Sequence, residues 1–124
     1  MMLKAIAPAL ALALCASAAS AMNWVYVGKN VYGSTYEIDQ DSVVRNGAVV
    51  TLSLKVHYGP DAPPGEMDGY IAHRTANCQD NSFQDIQTDY MLAGKVKRSA
   101  GVEDKQVAKA GSIAEAVLAK ACGR

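Results

Sequence analysis

The sequence predicts an α+β domain in which an antiparallel β-sheet of about six strands carries one C-terminal helix. Three observations support this prediction. The segment from Val49 to Tyr58 alternates between apolar and polar residues, as expected of a strand with one dry face and one wet face. Several other short segments are rich in β-branched and aromatic residues, and turn-forming residues separate them. Helical spacing is clearest at the C-terminus, between Ser112 and Cys122.

Residues 1–21 have the features of a signal peptide and are left out of the predicted fold. A basic start precedes an apolar run from Ala5 to Ala16, and Ala19-Ser20-Ala21 fits signal-peptidase cleavage. Lipoprotein processing at Cys15 is the alternative, although Leu14 stands where a small residue is expected. The sequence therefore predicts an exported protein, with residues 22–124 as one small domain and membrane attachment only if Cys15 is lipidated.

The charge of residues 22–124 excludes some classes of partner. Removing Lys4 from the 12 Lys and Arg leaves 11 against 12 Asp and Glu, a formal charge of −1. Such a balance favours neither nucleic acid nor an anionic membrane as a partner.

Two cysteines, Cys78 and Cys122, remain after removal of the predicted signal peptide, so one intramolecular disulfide is possible. Disulfides form in the compartments that exported proteins reach. Closing a loop of roughly 45 residues stabilises a fold by about 4 kcal/mol in the chain-entropy model. Because a small domain has a total stability of about 5–10 kcal/mol, we expect this bond to contribute a large share.

The first half of the domain contains three predicted strands. Asn23 to Gly28 and Ser34 to Asp39 form the first two, and the residues Asp39-Gln-Asp-Ser42 favour a tight turn. Asn46-Gly47 then predicts a hairpin that leads into the strand from Val49 to Tyr58. The dry face of this strand comprises Val50, Leu52, Leu54, Val56 and Tyr58.

The segment Gly59 to Gly69 is a loop by composition, and a strand from Tyr70 to Cys78 follows it. If Cys78 faces the helix, then Tyr70, Ala72 and Ala76 share its dry face, and the two alanines let the helix approach closely. Arg74 also falls on this face, which predicts an edge position or a bulge there.

Two further strands and one ambiguous segment complete the predicted sheet. Phe83 to Tyr90 is a strand, Ala93-Gly94 turns the chain, and Lys95 to Ser99 returns. Residues 100–110 are compatible with a short strand or with one helical turn. The aromatic residues near the N-terminus are expected to fill the core: Trp24, Tyr26, Tyr32 and Tyr36.

The C-terminal helix begins with a capping box. Ser112 is expected to accept a hydrogen bond from the first turn, and Glu115 to reach back to the N–H of Ser112. Lys120 suits the negative end of the helix, and Gly123 supplies a stop. A helix of about nine residues is marginal by itself in water, so we expect a disulfide to hold it to the sheet.

Segments along nearly all of residues 22–124 together resemble the bacterial surface-adhesin protein E-like family. In chain order these segments are Trp24-Val-Tyr-Val, Tyr36-Glu-Ile-Asp39, Ser42-Val-Val-Arg45-Asn-Gly47, Val56-His-Tyr58, the single residue Cys78, the turn from Tyr90 to Gly94, and Gly111-Ser-Ile-Ala-Glu-Ala-Val-Leu ending in Cys122.

This resemblance implies a helix tied by a disulfide to the concave face of the sheet, in a secreted or surface-attached protein. It also implies a non-catalytic binding module whose partners are host matrix or serum proteins such as laminin and vitronectin, and which forms a homodimer. The alternative is a soluble periplasmic ligand-binding or inhibitor-type domain that acts on components of the cell envelope.

Candidate metal and calcium ligands are few. His57 and His73 fall on the predicted wet face, and if the loop closes a hairpin they are expected to lie nearly opposite one another. No third ligand is evident, so no metal site is predicted. The acidic residues Asp61, Glu66 and Asp68 lack the spacing of a calcium-binding loop and indicate a solvated loop.

One basic concentration stands out: Lys95, Lys97, Arg98, Lys105 and Lys109. It is either a site for an anionic partner, such as a heparin-like glycan or an acidic protein surface, or a solvated strand edge whose lysines discourage edge pairing. The motifs of common hydrolases, metalloproteases and nucleotide-binding enzymes are absent, so neither catalysis nor a cofactor is predicted.

Overall fold

The computed structural model describes residues 22–124, so the predicted signal peptide and Cys15 lie outside the described residues. The described chain forms one open antiparallel sheet and one helix. Its elements are β1 (Trp24–Lys29), β2 (Thr35–Asp39), a 3-10 turn (Gln40–Ser42), β3 (Val44–Asn46), β4 (Val49–His57), β5 (Gly69–Asn77), β6 (Ser82–Leu92), β7 (Lys95–Ala100), β8 (Gln106–Val107) and α1 (Ile113–Ala121). None of the helices in this part of the chain has the length and apolar character needed to span a membrane.

The strands lie in the order β1-β2-β4-β5-β6-β7, and all pairs are antiparallel. The predicted sheet with its C-terminal helix is therefore confirmed. Two short strands raise the number from about six to eight, because β3 pairs with β4 and β8 pairs with β6. In the ambiguous segment 100–110, the structure contains the two-residue strand β8 rather than a helical turn.

The core lies between the helix and one face of the sheet, which we call the inner face. Val50, Leu52, Leu54 and Val56 of β4 are each at most 4% exposed, as the alternation of that strand predicts. They share a cluster with Val117 and Ala121 of α1 and with Ala72 of β5. The helix packs mainly on β1 and β2.

The arginine on the apolar face of β5 is explained by a bulge. The register between β5 and β6 shifts between His73 and Arg74, and Arg74 is 8% exposed. Its Nε donates to Asp85 Oδ1 at 2.7 Å, and its guanidinium lies 4.2 Å from the centroid of the Phe83 ring. A buried, hydrogen-bonded ion pair thus replaces an apolar contact at this position.

The hairpin before β4 differs in detail from its prediction. Asn46 pairs with Val49, so the two turn residues are Gly47 and Ala48 rather than Asn46 and Gly47. Gly47 has φ +65° while Ala48 does not have a positive φ, as a type II′ turn requires.

Both ends of α1 are capped. Ser112 Oγ accepts from the N–H of Glu115 at 3.2 Å, as predicted, but Glu115 Oε1 accepts from the N–H of Gly111 rather than that of Ser112. The N–H of Ser112 is occupied, since it donates to the carbonyl of Lys109. At the other end Gly123 has φ +76° and ends the helix, as predicted.

Cys78 and Cys122 form the disulfide, with their Cα atoms 5.8 Å apart. The bond joins the residue after β5 to the residue after α1, so it holds the C-terminal end of the helix against the inner face. The predicted tether is confirmed.

The prediction of an aromatic core near the N-terminus is confirmed for Tyr36, which packs against the core cluster, and is wrong for the other three residues. Trp24 lies on the same face of β1 as Tyr26, with the ammonium of Lys55 5.3 Å from the centroid of its ring, and is not part of the core cluster. Tyr26 and Tyr32 are 58% and 49% exposed, whereas Trp24 and Tyr36 are half-buried. Tyr26 lies on the face of β1 opposite the helix, because Val25 pairs with the buried Ile38.

Candidate binding site on the inner face

A row of aromatic side chains crosses the part of the inner face that α1 leaves uncovered. Strand register places Tyr70 opposite Val56 and Tyr90, and Tyr90 opposite Arg98. The ring of Tyr70 lies 6.0 Å from the ring of Tyr58 and 6.0 Å from that of Tyr90, centroid to centroid. The guanidinium of Arg98 ends the row, 4.1 Å from the centroid of Tyr90. These distances are typical of aromatic and cation–π contacts.

A second bulge determines which cation of β7 joins this row. The register of β6 and β7 shifts after Tyr90, so that Arg98 pairs with Tyr90 while Val96 pairs with Met91. Lys97 is the additional residue and has no partner on β6. The bulge therefore places Arg98 on the inner face, although a regular strand of the same sequence would not pair it with Tyr90.

The loop between β4 and β5 forms the opposite wall, and backbone hydrogen bonds hold both of its ends. The N–H of Gly59 donates to Ser34 Oγ at 3.0 Å, and the N–H of Tyr58 donates to the carbonyl of Asp68 at 2.9 Å. Asp68 Oδ2 also accepts from the N–H of Ala93 at 2.9 Å. A side chain at Gly59 would collide with the backbone of Gly33, so glycine is required for this close approach.

Between this loop and the aromatic row lies a pocket of about 320 Å³, which we call the tyrosine–arginine pocket. Its volume is at the lower end of the range for small-ligand sites, about 300–1,000 Å³. Tyr58, Tyr90 and Arg98 form one side, and loop residues 62–67 form the other. The loop contributes the rings of Pro63 and Pro64, and one carboxylate, that of Glu66.

The side-chain donors of Tyr58, Tyr90 and Arg98 have no acceptor within residues 22–124. In that range, the arginines with side-chain hydrogen bonds are Arg45, Arg74 and Arg124, so the donors of Arg98 are unused. Neither Tyr58 nor Tyr90 makes a hydroxyl hydrogen bond there. Burial raises the pKa of the Tyr58 phenol, and the nearby phenols of Tyr90 and Tyr36 raise it further, while the charge of Arg98 lowers it. Tyr58 is therefore a neutral donor at physiological pH.

The opposite, outer face of the sheet holds a polar cluster with the composition of a hydrolase triad. Ser53 Oγ lies 3.5 Å from His73 Nδ1, and His73 Nε2 lies 3.1 Å from Asp89 Oδ2. Hydrogen bonds from Ser99 and Gln87 lower the pKa of Asp89. An acyl-transfer site also needs donors for an oxyanion, and the N–H of Ser53 itself already donates to Ser42 Oγ. The cluster is thus better explained as a hydrogen-bonded patch on an exposed face.

The prediction that the two histidines face each other is wrong. His57 pairs with Gly69, whereas His73 pairs with Ser53, because the paired region of β4 and β5 ends at His57 and Gly69. Four residues of strand, about 13 Å, separate the two positions. Within residues 22–124 no three His, Cys, Asp or Glu side chains come close enough together to hold a metal ion.

The structure divides the basic residues into two groups. Lys95, Lys97 and Arg98 lie on β7, where Lys95 pairs with Leu92. The other two flank β8, where Gln106 pairs with Phe83: Lys105 and Lys109. Nine residues of β6 separate Phe83 from Leu92, which corresponds to about 30 Å. Lys105 Nζ lies 3.7 Å from Asp80 Oδ2. Of these five basic residues, only Arg98 lines the pocket.

Sequence reasoning assigned Tyr58 and Tyr70 to the dry face and Arg98 to a basic patch, but it did not bring Tyr58, Tyr90 and Arg98 together. The relevant signal was the repetition of tyrosine near the ends of strands. It becomes informative only once the register of the sheet is known.

Comparison with known proteins identifies the family of the chain. The family model described as "Surface-adhesin protein E" matches residues 24–123, nearly the whole described chain. No curated protein and no solved structure is significantly similar to the chain. The family indicates a surface adhesin, which is a non-enzymatic protein that binds other proteins at the cell surface or outside the cell. The chain belongs to the surface-adhesin protein E family.

Proposed function

We propose that this protein is an exported, non-catalytic adhesion module that binds a host matrix or serum protein through the tyrosine–arginine pocket. The observation that supports the proposal most directly is the open pocket itself, whose donors Tyr58, Tyr90 and Arg98 have no partner in the described chain. Tyrosine and arginine are enriched among the residues that dominate the free energy of protein–protein binding.

The shape of the pocket supports binding to a protein rather than to a whole small molecule. A volume of about 320 Å³ accepts one or two side chains, and the pocket is lined by both the sheet and the loop. In a typical interface a few anchoring side chains fill such pockets, while the rim excludes water. Hydrogen bonds at both ends of the β4–β5 loop limit the conformations open to its lining residues, which reduces the entropic cost of binding.

Export is part of the same proposal. The predicted signal peptide at residues 1–21 supports it, and so does the disulfide between Cys78 and Cys122, because such bonds persist in oxidising compartments. Fractionation of the native cells tests this part. Protein at the surface or in the medium is expected, and protein confined to the soluble periplasm would contradict an adhesin.

Binding to immobilised laminin and vitronectin tests the role of the pocket. Arg98→Ala removes the cation on one wall, and Met67→Ala shortens a side chain on the other wall. We expect each to weaken binding at least about tenfold, as for an anchoring residue. Lys97→Ala is the matched control, because it removes the same charge from the neighbouring position outside the pocket.

Two results would contradict this assignment. If Arg98→Ala and Met67→Ala bind as the wild type does, the partner uses another surface. If Lys97→Ala weakens binding as much as Arg98→Ala, the net charge of β7 matters rather than the pocket. Cross-linking in living cells followed by mass spectrometry identifies the partner in either case.

A further inference from the structure

We infer that the tyrosine–arginine pocket binds a single carboxylate side chain, from Asp or Glu, on an extended segment of the protein partner. This inference rests on the proposed function and adds the chemistry of the group that enters the pocket.

Arg98 is oriented to receive a carboxylate. Its guanidinium lies over the Tyr90 ring, 4.1 Å from the centroid, and its N–H groups donate to no side chain or backbone acceptor within residues 22–124. A guanidinium presents its donors in a planar fork that matches the two oxygens of a carboxylate. Such charge-assisted, two-point hydrogen bonds are stronger than neutral ones.

Tyr58 provides a second donor close to the same place. Its hydroxyl is neutral at physiological pH, because burial raises the pKa of the phenol, and Tyr58 and Arg98 line the same side of the pocket. A carboxylate between them accepts from both, which satisfies donors that have no acceptor within residues 22–124. By contrast, no buried side-chain polar atom in the same range lacks a hydrogen-bond partner.

The remaining surface of the pocket suits the apolar part of an extended peptide. The rings of Pro63 and Pro64 face the tyrosine side across the pocket. Rings of tyrosine and proline accept aliphatic side chains and further prolines, as in the aromatic-lined grooves that bind extended proline-containing segments.

The charges around the pocket favour one carboxylate over a polyanion. Glu66 belongs to the lining and repels every negative group that enters, so the single positive charge of Arg98 can offset one carboxylate but not a polyanion. A sulfated glycan draws its affinity from several cations, but Lys105 and Lys109 lie beside β8, about 30 Å along β6 from the Lys95 end of β7. A single acidic side chain therefore fits this arrangement better than a heparin-like chain.

The test uses a terminally blocked pentapeptide, Ala-Pro-Glu-Pro-Ala, and its glutamine counterpart, titrated into ¹⁵N-labelled protein and followed by NMR. Saturating shifts around Tyr58, Tyr90 and Arg98 are expected with the glutamate peptide. We expect the glutamine peptide to bind at least about tenfold more weakly, since a charge-assisted hydrogen bond is lost. Arg98→Ala is expected to abolish this preference, whereas Lys97→Ala keeps it.

Arg98→Lys separates geometry from charge. It retains the positive charge but loses the planar fork, so the preference for glutamate over glutamine is expected to shrink without disappearing. An unchanged preference in Arg98→Lys would overturn two-point recognition by the guanidinium.

Several outcomes would overturn the inference without affecting the proposed function. Equal affinity for the glutamate and glutamine peptides excludes recognition of a carboxylate. A heparin-derived tetrasaccharide that shifts the same residues, when neither peptide does, indicates a glycan ligand. The proposed function fails separately, when Arg98→Ala and Met67→Ala leave binding to laminin and vitronectin unchanged.

Discussion

Arg98 lies over the ring of Tyr90, 4.1 Å from its centroid, at the bulge where the register of β6 and β7 shifts. Both residues line the tyrosine–arginine pocket. Arg98 is exposed and makes no ion pair within residues 22–124, so this contact contributes little to folding. Its effect on binding is therefore separable from its effect on stability.

Arg98→Ala is expected to lower the free energy of unfolding by only about 0.5–1 kcal/mol, the range for an exposed cation–π contact. Thermal unfolding measures this as a fall of a few degrees in Tm. Lys97→Ala, which removes no such contact, is the reference variant. A fall well beyond that range would mean that Arg98 is needed for the pairing of β6 and β7.

Replacing Cys122 with serine is expected to lower stability by roughly 4 kcal/mol, because the bond to Cys78 closes a 44-residue separation. Chemical unfolding of Cys122→Ser and of the double variant Cys78→Ser/Cys122→Ser should give the same loss, since both lack one and the same bond. Native protein without residues 1–21 should show no free thiol. One titratable thiol per chain would refute the pairing.

The ion pair between Arg74 and Asp85 is buried, with side chains 9% and 11% exposed. Arg74→Met leaves Asp85 without its cation and is expected to cost about 3–5 kcal/mol. The double variant Arg74→Met/Asp85→Leu should recover most of this loss, because no charge is then left buried. Urea unfolding of the two single variants and the double variant measures the coupling, and simple additivity would contradict it.

The phenol of Tyr70 makes the free energy of unfolding depend on pH in the alkaline range. Burial is the main cause that raises the pKa of its phenol above the ordinary value of 10.0. The folded chain therefore holds the phenol proton more tightly than the unfolded chain does. Its contribution to the free energy of unfolding is full below about pH 10 and is lost as the pH rises beyond that value.

Tyr70→Phe should flatten this alkaline loss of stability, which urea unfolding measured at increasing pH detects. Tyr32→Phe, at a tyrosine 49% exposed, is the matched control. An equal slope in the wild type and in Tyr70→Phe would show that the proton of Tyr70 has no role.

Much of the fold follows from local patterns in the sequence. The alternation from Val49 to Tyr58 identified the buried face of β4, and Ser112 and Gly123 identified the two ends of the helix. Details that depend on backbone positions one residue apart were less accurate. The turn residues are Gly47 and Ala48 rather than Asn46 and Gly47. Glu115 accepts from the N–H of Gly111, because the N–H of Ser112 already donates to the carbonyl of Lys109.

The candidate site depended on pairings that no local pattern contains. The period of two residues in a strand determines which face a side chain occupies, but not which side chain lies beside it on the next strand. Bulges at Ile86 of β6 and at Lys97 of β7 change that pairing by one residue. His57 and His73 are a further example, because they share a face but the register of β4 and β5 pairs His57 with Gly69 and His73 with Ser53.

The sequence by itself determined the buried face of β4, the capped helix and the pairing of Cys78 with Cys122, because alternation, capping and cysteine number act within a segment or by simple count. Only the tertiary structure decided that Tyr58, Tyr90 and Arg98 surround one pocket. Register, bulges and loop closure bring together residues far apart in the chain, and these depend on the free energy of the whole sheet rather than on any one strand.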